Sequence, residues 1–63
     1  MMNYYVTMDS FGSECPANWE AIAAALNTII DDRNIADDQD ACNELWEEYW
    51  NGKLPEVPAA EEA

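Results

Sequence analysis

Few side chains could act as nucleophiles, and they lack the groups that would activate them. The candidates are Ser10, Ser13, Cys15 and Cys42, and the chain contains no histidine to serve as a base. A serine nucleophile needs a positioned base, and a reactive cysteine needs a group that stabilises its thiolate. Cys42 falls on the apolar side of a predicted helix, which is typical of a small core residue. The pattern argues against an enzyme, and we assign no catalytic residue.

Carboxylates are the most abundant groups that could do chemistry, either as acids and bases or as cation ligands. Asp and Glu number 14, against two basic residues. Acid–base catalysis needs one carboxyl group whose pKa is raised by burial beside a second that stays charged, whereas these residues fall on predicted solvated faces. The segment DDRNIADDQD, residues 31–40, offers many oxygen ligands but lacks the glycine and the alternation of a calcium loop. We therefore predict no dedicated metal site and no cofactor.

The net charge of −12 is the strongest constraint on partners. A small soluble domain usually carries a net charge of roughly 2 to 8 units. This excess repels nucleic acids and anionic membranes, and it favours a basic protein surface. The sequence shows no signal-peptide pattern and no apolar stretch near the length of about 18 residues that spans a membrane. We expect a cytoplasmic protein with reduced thiols that does not contact a membrane.

The first segment that could position these side chains has the pattern of a strand. Apolar and polar residues alternate over residues 2–8, and one face is formed by Met2, Tyr4, Val6 and Met8. Residues 9–18, which include a glycine and a proline, are predicted to form a loop. A lone strand leaves unpaired backbone groups. It would pair with the C-terminal segment, pair with its equivalent in a dimer, or lie as an irregular segment.

Residues 19–33 are predicted to form the first of two amphipathic helices. Asn18 is placed to cap its N-terminus, and Asn34 can adopt the left-handed conformation that ends a helix. Apolar residues at helical spacing form one stripe: Trp19, Ile22, Ala23, Leu26, Ile29 and Ile30.

The second predicted helix, DDQDACNELWEEYW, carries the candidate site. Asp37 is the predicted N-cap, and Gly52 is the predicted stop. Steps of 100° per residue separate its two sides. The apolar face contains Cys42, Leu45, Trp46 and Tyr49. The predicted partner-binding residues lie opposite or at the border: Asp37, Asp40, Glu44, Glu47, Glu48 and Trp50.

The predicted fold is a small α+β domain in which one N-terminal strand and two helices share a core. The alternative is an essentially all-α helical hairpin. The predicted core consists of Trp19, Ile22, Leu26, Ile30, Leu45, Trp46 and Tyr49. Residues 1–54 are predicted to form the single domain, and residues 55–63 a flexible acidic tail, with Leu54 and Val57 able to dock.

In composition the chain resembles small acidic accessory proteins of phages and mobile elements, which block restriction or CRISPR enzymes by imitating DNA. The resemblance lies in small size, acidity and aromatic content, and it involves no shared motif. It implies a non-enzymatic protein that inhibits or regulates a nucleic-acid-binding protein through an acidic helix face. Duplex DNA carries one charge per ~1.7 Å, whereas acids on successive helical turns recur about every 5.4 Å, so the imitation would be partial.

The alternative function is a small interaction module, or a homodimer, that binds through its apolar surface. The acids would then serve solubility alone. The two functions differ in their response to salt, because screening weakens attraction between opposite charges.

Overall fold

The computed structural model describes residues 3–61 as three helical elements joined by irregular segments. A 3₁₀ helix covers Met8–Glu14, α1 covers Trp19–Arg33 and α2 covers Gln39–Trp50. None of residues 3–61 lies in a β-strand. The fold of the described chain is therefore all-α, as in the alternative expectation, and the α+β prediction is wrong.

The predicted strand over residues 2–8 is replaced by an irregular segment that binds α1. Met2 lies outside the described residues, and Met8 begins the 3₁₀ helix. The Asn27 side chain takes the place of a neighbouring strand: Val6 N–H donates to its Oδ1 at 2.7 Å, and its Nδ2 donates to Val6 O at 3.0 Å. Tyr4 N–H donates to Ala36 O at 2.8 Å. An asparagine and a loop carbonyl thus satisfy backbone groups that a strand would have paired in a sheet.

The predicted loop over residues 9–18 is mostly the 3₁₀ helix. Thr7 N–H donates to Ser10 Oγ at 3.1 Å at its start. Gly12 interrupts it with φ 63° and ψ −139°, a conformation that favours glycine. The helix buries Phe11, which the sequence did not place in the core.

Helix α1 begins and ends where the sequence predicts. Asn34 adopts the left-handed conformation with φ 55°. Its N–H donates to Asp31 O, and the N–H of Ile35 donates to Ile30 O, both at 3.1 Å. These paired bonds satisfy carbonyl groups that the end of a helix otherwise leaves free. Asn18 occupies the N-cap position, but its side chain makes no capping bond.

Helix α2 also follows the prediction closely, with the N-cap shifted by one residue. Asp38 is the N-cap in place of Asp37, and its carboxylate accepts the N–H of Ala41 at 3.1 Å. Gly52 has φ 75°, and the next N–H, from Lys53, donates to Glu48 O at 2.9 Å. The predicted glycine stop is confirmed.

The core draws on all three helical elements and on the segment after α2. Its buried members are Phe11, Ile22, Leu26, Ile30, Cys42, Leu45, Tyr49, Leu54 and Val57. Trp19 and Trp46, which were predicted in the core, are half-buried and pack against it. The buried placement of Cys42 is confirmed.

Residues 54–61, which we call the strap, return across the helices. Leu54 and Val57 are buried, as the sequence allowed. The described part of the segment predicted as a flexible acidic tail, residues 55–61, contacts α2 through Pro58 and the N-cap residue of α1 through Ala59 and Glu61. Residues 62–63 lie outside the described part. The radius of gyration, 11.0 Å, is close to the ~10.6 Å of a compact domain of this length.

Candidate protein-binding surface

The five acidic residues of the candidate site all lie on or just before α2. Four of them, Asp37, Asp40, Glu44 and Glu47, are exposed, and Glu48 is half-buried. Residues three and four apart on a helix are neighbours, so the four acids within α2 form one row along it. We call the set of five the acidic face.

Cations compensate little of this charge. Among residues 3–61 one ion pair forms, between Arg33 Nη1 and Glu48 Oε2 at 3.8 Å. An exposed pair at this separation contributes about 0 to 1 kcal/mol to stability. No polar or charged side chain is buried in the same part of the chain. The acidic face therefore presents nearly its full negative charge to water.

Three further acids lie close to this face in the sequence but outside the predicted site: Asp31, Asp32 and Asp38. All three are exposed. The Tyr5 hydroxyl donates a hydrogen bond to Asp31, which raises the pKa of Tyr5. Asp38 caps α2. Two of the three thus have a structural role, which their position at the helix ends could have indicated.

Trp50 lies beside the acidic face, where the sequence placed it. It is 49% exposed. Its ring makes edge-to-face contacts with Trp46, at 5.6 Å between centroids, and with Tyr49, at 4.9 Å. Trp46 in turn packs on the buried Phe11 at 5.1 Å. Because two rings hold Trp50 from the inside, its outer side is a fixed apolar surface next to the carboxylates.

Two open grooves meet at Trp50. One runs towards Cys15, Pro16 and Glu61, and the other lies between Tyr49 and the strap. The groove at Cys15 also contains the carboxylates of Glu14 and Glu61. Within residues 3–61 no three metal-ligating side chains come together. The chemistry that this arrangement supports is recognition of a cationic or apolar surface.

Met8 is a second exposed apolar side chain that the sequence did not single out. It is 52% exposed, in the segment where the strand pattern placed it on one face with Met2, Tyr4 and Val6. Met8 is the first residue of the 3₁₀ helix.

Comparison with known proteins found no matching family model, no matching curated protein and no matching solved structure. In the described part of the chain, no helix combines the length and the apolar character needed to cross a membrane.

Proposed function

We propose that this chain is a non-enzymatic binding protein whose acidic face engages a basic protein surface. The observation that carries the proposal is a set of five acids on or just before α2, four of them exposed, with one ion pair among residues 3–61, between Arg33 and Glu48 at 3.8 Å. Such a field attracts surfaces rich in lysine and arginine and raises the rate of encounter. Trp50 would serve as the anchor, since tryptophan is enriched among residues that dominate binding energy.

The partner class that fits best is a nucleic-acid-binding protein, which this chain would inhibit or regulate. Proteins concentrate lysine and arginine where they neutralise phosphates, so an acidic face competes for the same groups. One row of acids with a repeat of about 5.4 Å covers only part of a duplex surface. The activity would resemble that of the acidic accessory proteins of phages and mobile elements. A reducing cytoplasm suits the two cysteines, which are both free thiols.

The experiment compares two double charge reversals. Glu44→Lys/Glu47→Lys changes the acidic face, and Glu20→Lys/Glu56→Lys changes exposed acids that line neither this face nor the grooves at Trp50. Each substitution adds two charge units, so both variants have a net charge of −8 instead of −12. Glu48 is left in place because its reversal would also break the contact with Arg33.

The immobilised proteins are used to capture basic DNA-binding proteins from a nuclease-treated lysate, with quantification by mass spectrometry. We expect capture by the wild type to fall between ~0.05 and ~0.5 M NaCl, because screening weakens the attraction. Duplex DNA should compete with it. The change on the acidic face should abolish capture, and the control should keep it. Equal losses in both variants would refute a specific role for α2.

Exposed apolar side chains favour one second candidate, self-association. Trp50 and Met8 are each about half exposed. Salt has the opposite effect here, because screening reduces the repulsion between two chains of the same charge. A dimer seen by sedimentation equilibrium that strengthens with NaCl and is lost in Trp50→Ala would support this alternative.

A further inference from the structure

Residues 58–61 of the strap are held through their backbone. Each bond joins a strap backbone group to α2 or to the start of α1: Tyr49 Oη to Pro58 O at 2.7 Å, Asn18 Nδ2 to Ala59 O at 2.8 Å, Glu61 N to Asn18 Oδ1 at 2.9 Å, and Ala17 N to Glu61 O at 2.9 Å. The groups of residues 59 and 61 point the same way, as they do on one edge of an extended strand. The strap is thus bound in the way that a receptor binds a peptide.

The Asn18 side chain binds the strap and does not cap α1. An asparagine at the N-cap position ordinarily accepts a backbone N–H from the first turn of its own helix. Here both ends of its amide bind the strap, and no capping bond is made. Asn27 holds Val6 by the same two-ended contact. Helix α1 therefore uses asparagine amides as substitutes for a strand edge.

The side chains of residues 58–61 contribute little to this contact. Pro58, Ala59, Ala60 and Glu61 are all exposed. The last buried side chain of the strap is Val57. Residues 58–61 can consequently leave the helices while Leu54 and Val57 stay in the core. The surface beneath them would then present an amide, a phenol hydroxyl and an aromatic ring.

We propose that the strap covers a peptide-binding groove, which is formed by Ala17, Asn18, Tyr49 and Trp50. The strap occupies this groove as an internal ligand. When the strap opens, the groove binds an extended, proline-containing peptide with small side chains. Aromatic grooves that donate hydrogen bonds to backbone carbonyls are a recurring means of binding such segments, whose preformed conformation loses little entropy. The strap residues Pro58, Ala59 and Ala60 define the chemistry of the ligand. The groove uses no carboxylate of α2 and shares Trp50 with the acidic-face proposal. Its test changes Asn18, Ala60 and Glu61 and leaves both Trp50 and the acidic face in place, so failure of one proposal can be told from failure of the other.

The test weakens the strap and leaves the groove intact. Glu61→Pro removes the N–H that binds Asn18. Ala60→Pro is the matched control, because the N–H of Ala60 has no hydrogen-bond acceptor among residues 3–61. The probe is the acetylated peptide EVPAAE, the sequence of residues 56–61. It is titrated into each full-length protein, and binding is followed by the NMR shifts of the Ala17 N–H and the Asn18 amide.

The strap competes with the added peptide for the groove at an effective concentration in the millimolar range, so the wild type should bind the peptide weakly. Loss of one strap hydrogen bond should tighten the apparent affinity of Glu61→Pro about tenfold. Ala60→Pro should bind like the wild type, and Asn18→Ala/Glu61→Pro should lose the gain. Equal affinity in Glu61→Pro and Ala60→Pro, or a gain that survives Asn18→Ala, would overturn the proposal.

Hydrogen exchange of the wild type supplies a second measurement that needs no substitution. The amides of Ala17 and Glu61 should be protected and should exchange through a common opening, at least about a hundredfold faster than the Leu26 amide in α1. Exchange of the Glu61 amide as slow as that of Leu26 would make the strap a fixed part of the fold. Absence of protection would show that it is not bound. Either result would overturn the internal-ligand assignment.

Discussion

Trp46 and Trp50 lie about one turn apart on α2, and their substitution tests which side of the helix faces the core. Trp46 is half-buried against Phe11, and Trp50 is 49% exposed. We predict that Trp46→Ala unfolds the protein or nearly so, whereas Trp50→Ala leaves it folded.

The expected magnitudes follow from burial. A large aromatic residue buries about 150 to 250 Å², so half-burial of Trp50 is worth about 2 to 3 kcal/mol as an upper estimate. Truncating a buried tryptophan costs about 3 to 5 kcal/mol, and Trp46 should fall near the lower end because it keeps some exposure. A domain of this length has a free energy of unfolding of about 3 to 9 kcal/mol. Trp46→Ala therefore removes most of the stability of a domain near the lower end of this range. The figure for Trp50 is an upper bound, so Trp50→Ala should cost less.

The assay is urea denaturation followed by far-ultraviolet circular dichroism, because tryptophan substitutions change the fluorescence signal itself. Trp50→Phe is the control that retains an aromatic ring. A Trp46→Ala variant with a denaturation midpoint near that of the wild type would show that the inner face of α2 is wrongly assigned. Equal damage in Trp50→Ala would show the same.

Three further predictions concern thiols, pH and salt. Burial and the nearby Asp38 and Asp37 raise the pKa of Cys42, so iodoacetamide should modify Cys15 first in the folded protein. In denaturant without a reductant both thiols should react, and a native disulfide between them would contradict the prediction. Burial also raises the pKa of Tyr49. Its contribution to stability should be full below pH ~10, the usual pKa, and be lost as the pH rises through the folded pKa; alkaline melts of the wild type and Tyr49→Phe should differ there, and identical curves would refute it. Because like charges repel, NaCl from ~0.01 to ~0.5 M should raise Tm, and a fall would refute self-repulsion.

The helices could be predicted from the sequence because local signals agree with one another there. Asn34 follows an apolar stripe of helical spacing and ends α1, and Gly52 does the same for α2. The N-cap of α2 was displaced by one residue because Asp37 and Asp38 are both suitable, and the sequence does not show which carboxylate reaches Ala41. The exposed side of α2, including Trp50, followed from the same periodicity.

The irregular segments could not be predicted because distant side chains determine them. The alternation of apolar and polar residues over 2–8 indicates which side chains share a face, but not which groups bind the backbone N–H and C=O groups. Here the Asn27 side chain binds those of Val6. The strap likewise depends on Asn18, 41 residues before Ala59. Without the contact between Asn18 and the strap, the prolines and alanines after Leu54 are typical of a flexible tail.

The most direct test of the acidic-face proposal is the association rate of a captured DNA-binding partner, measured by surface plasmon resonance at low and high NaCl. Charge near an interface acts mainly on the rate of encounter. We predict that Glu44→Lys/Glu47→Lys lowers the association rate at least about tenfold at low salt, and that Glu20→Lys/Glu56→Lys, with the same net charge, changes it by less than about threefold. Equal slowing in the two variants, or rates that do not depend on salt, would contradict the proposal.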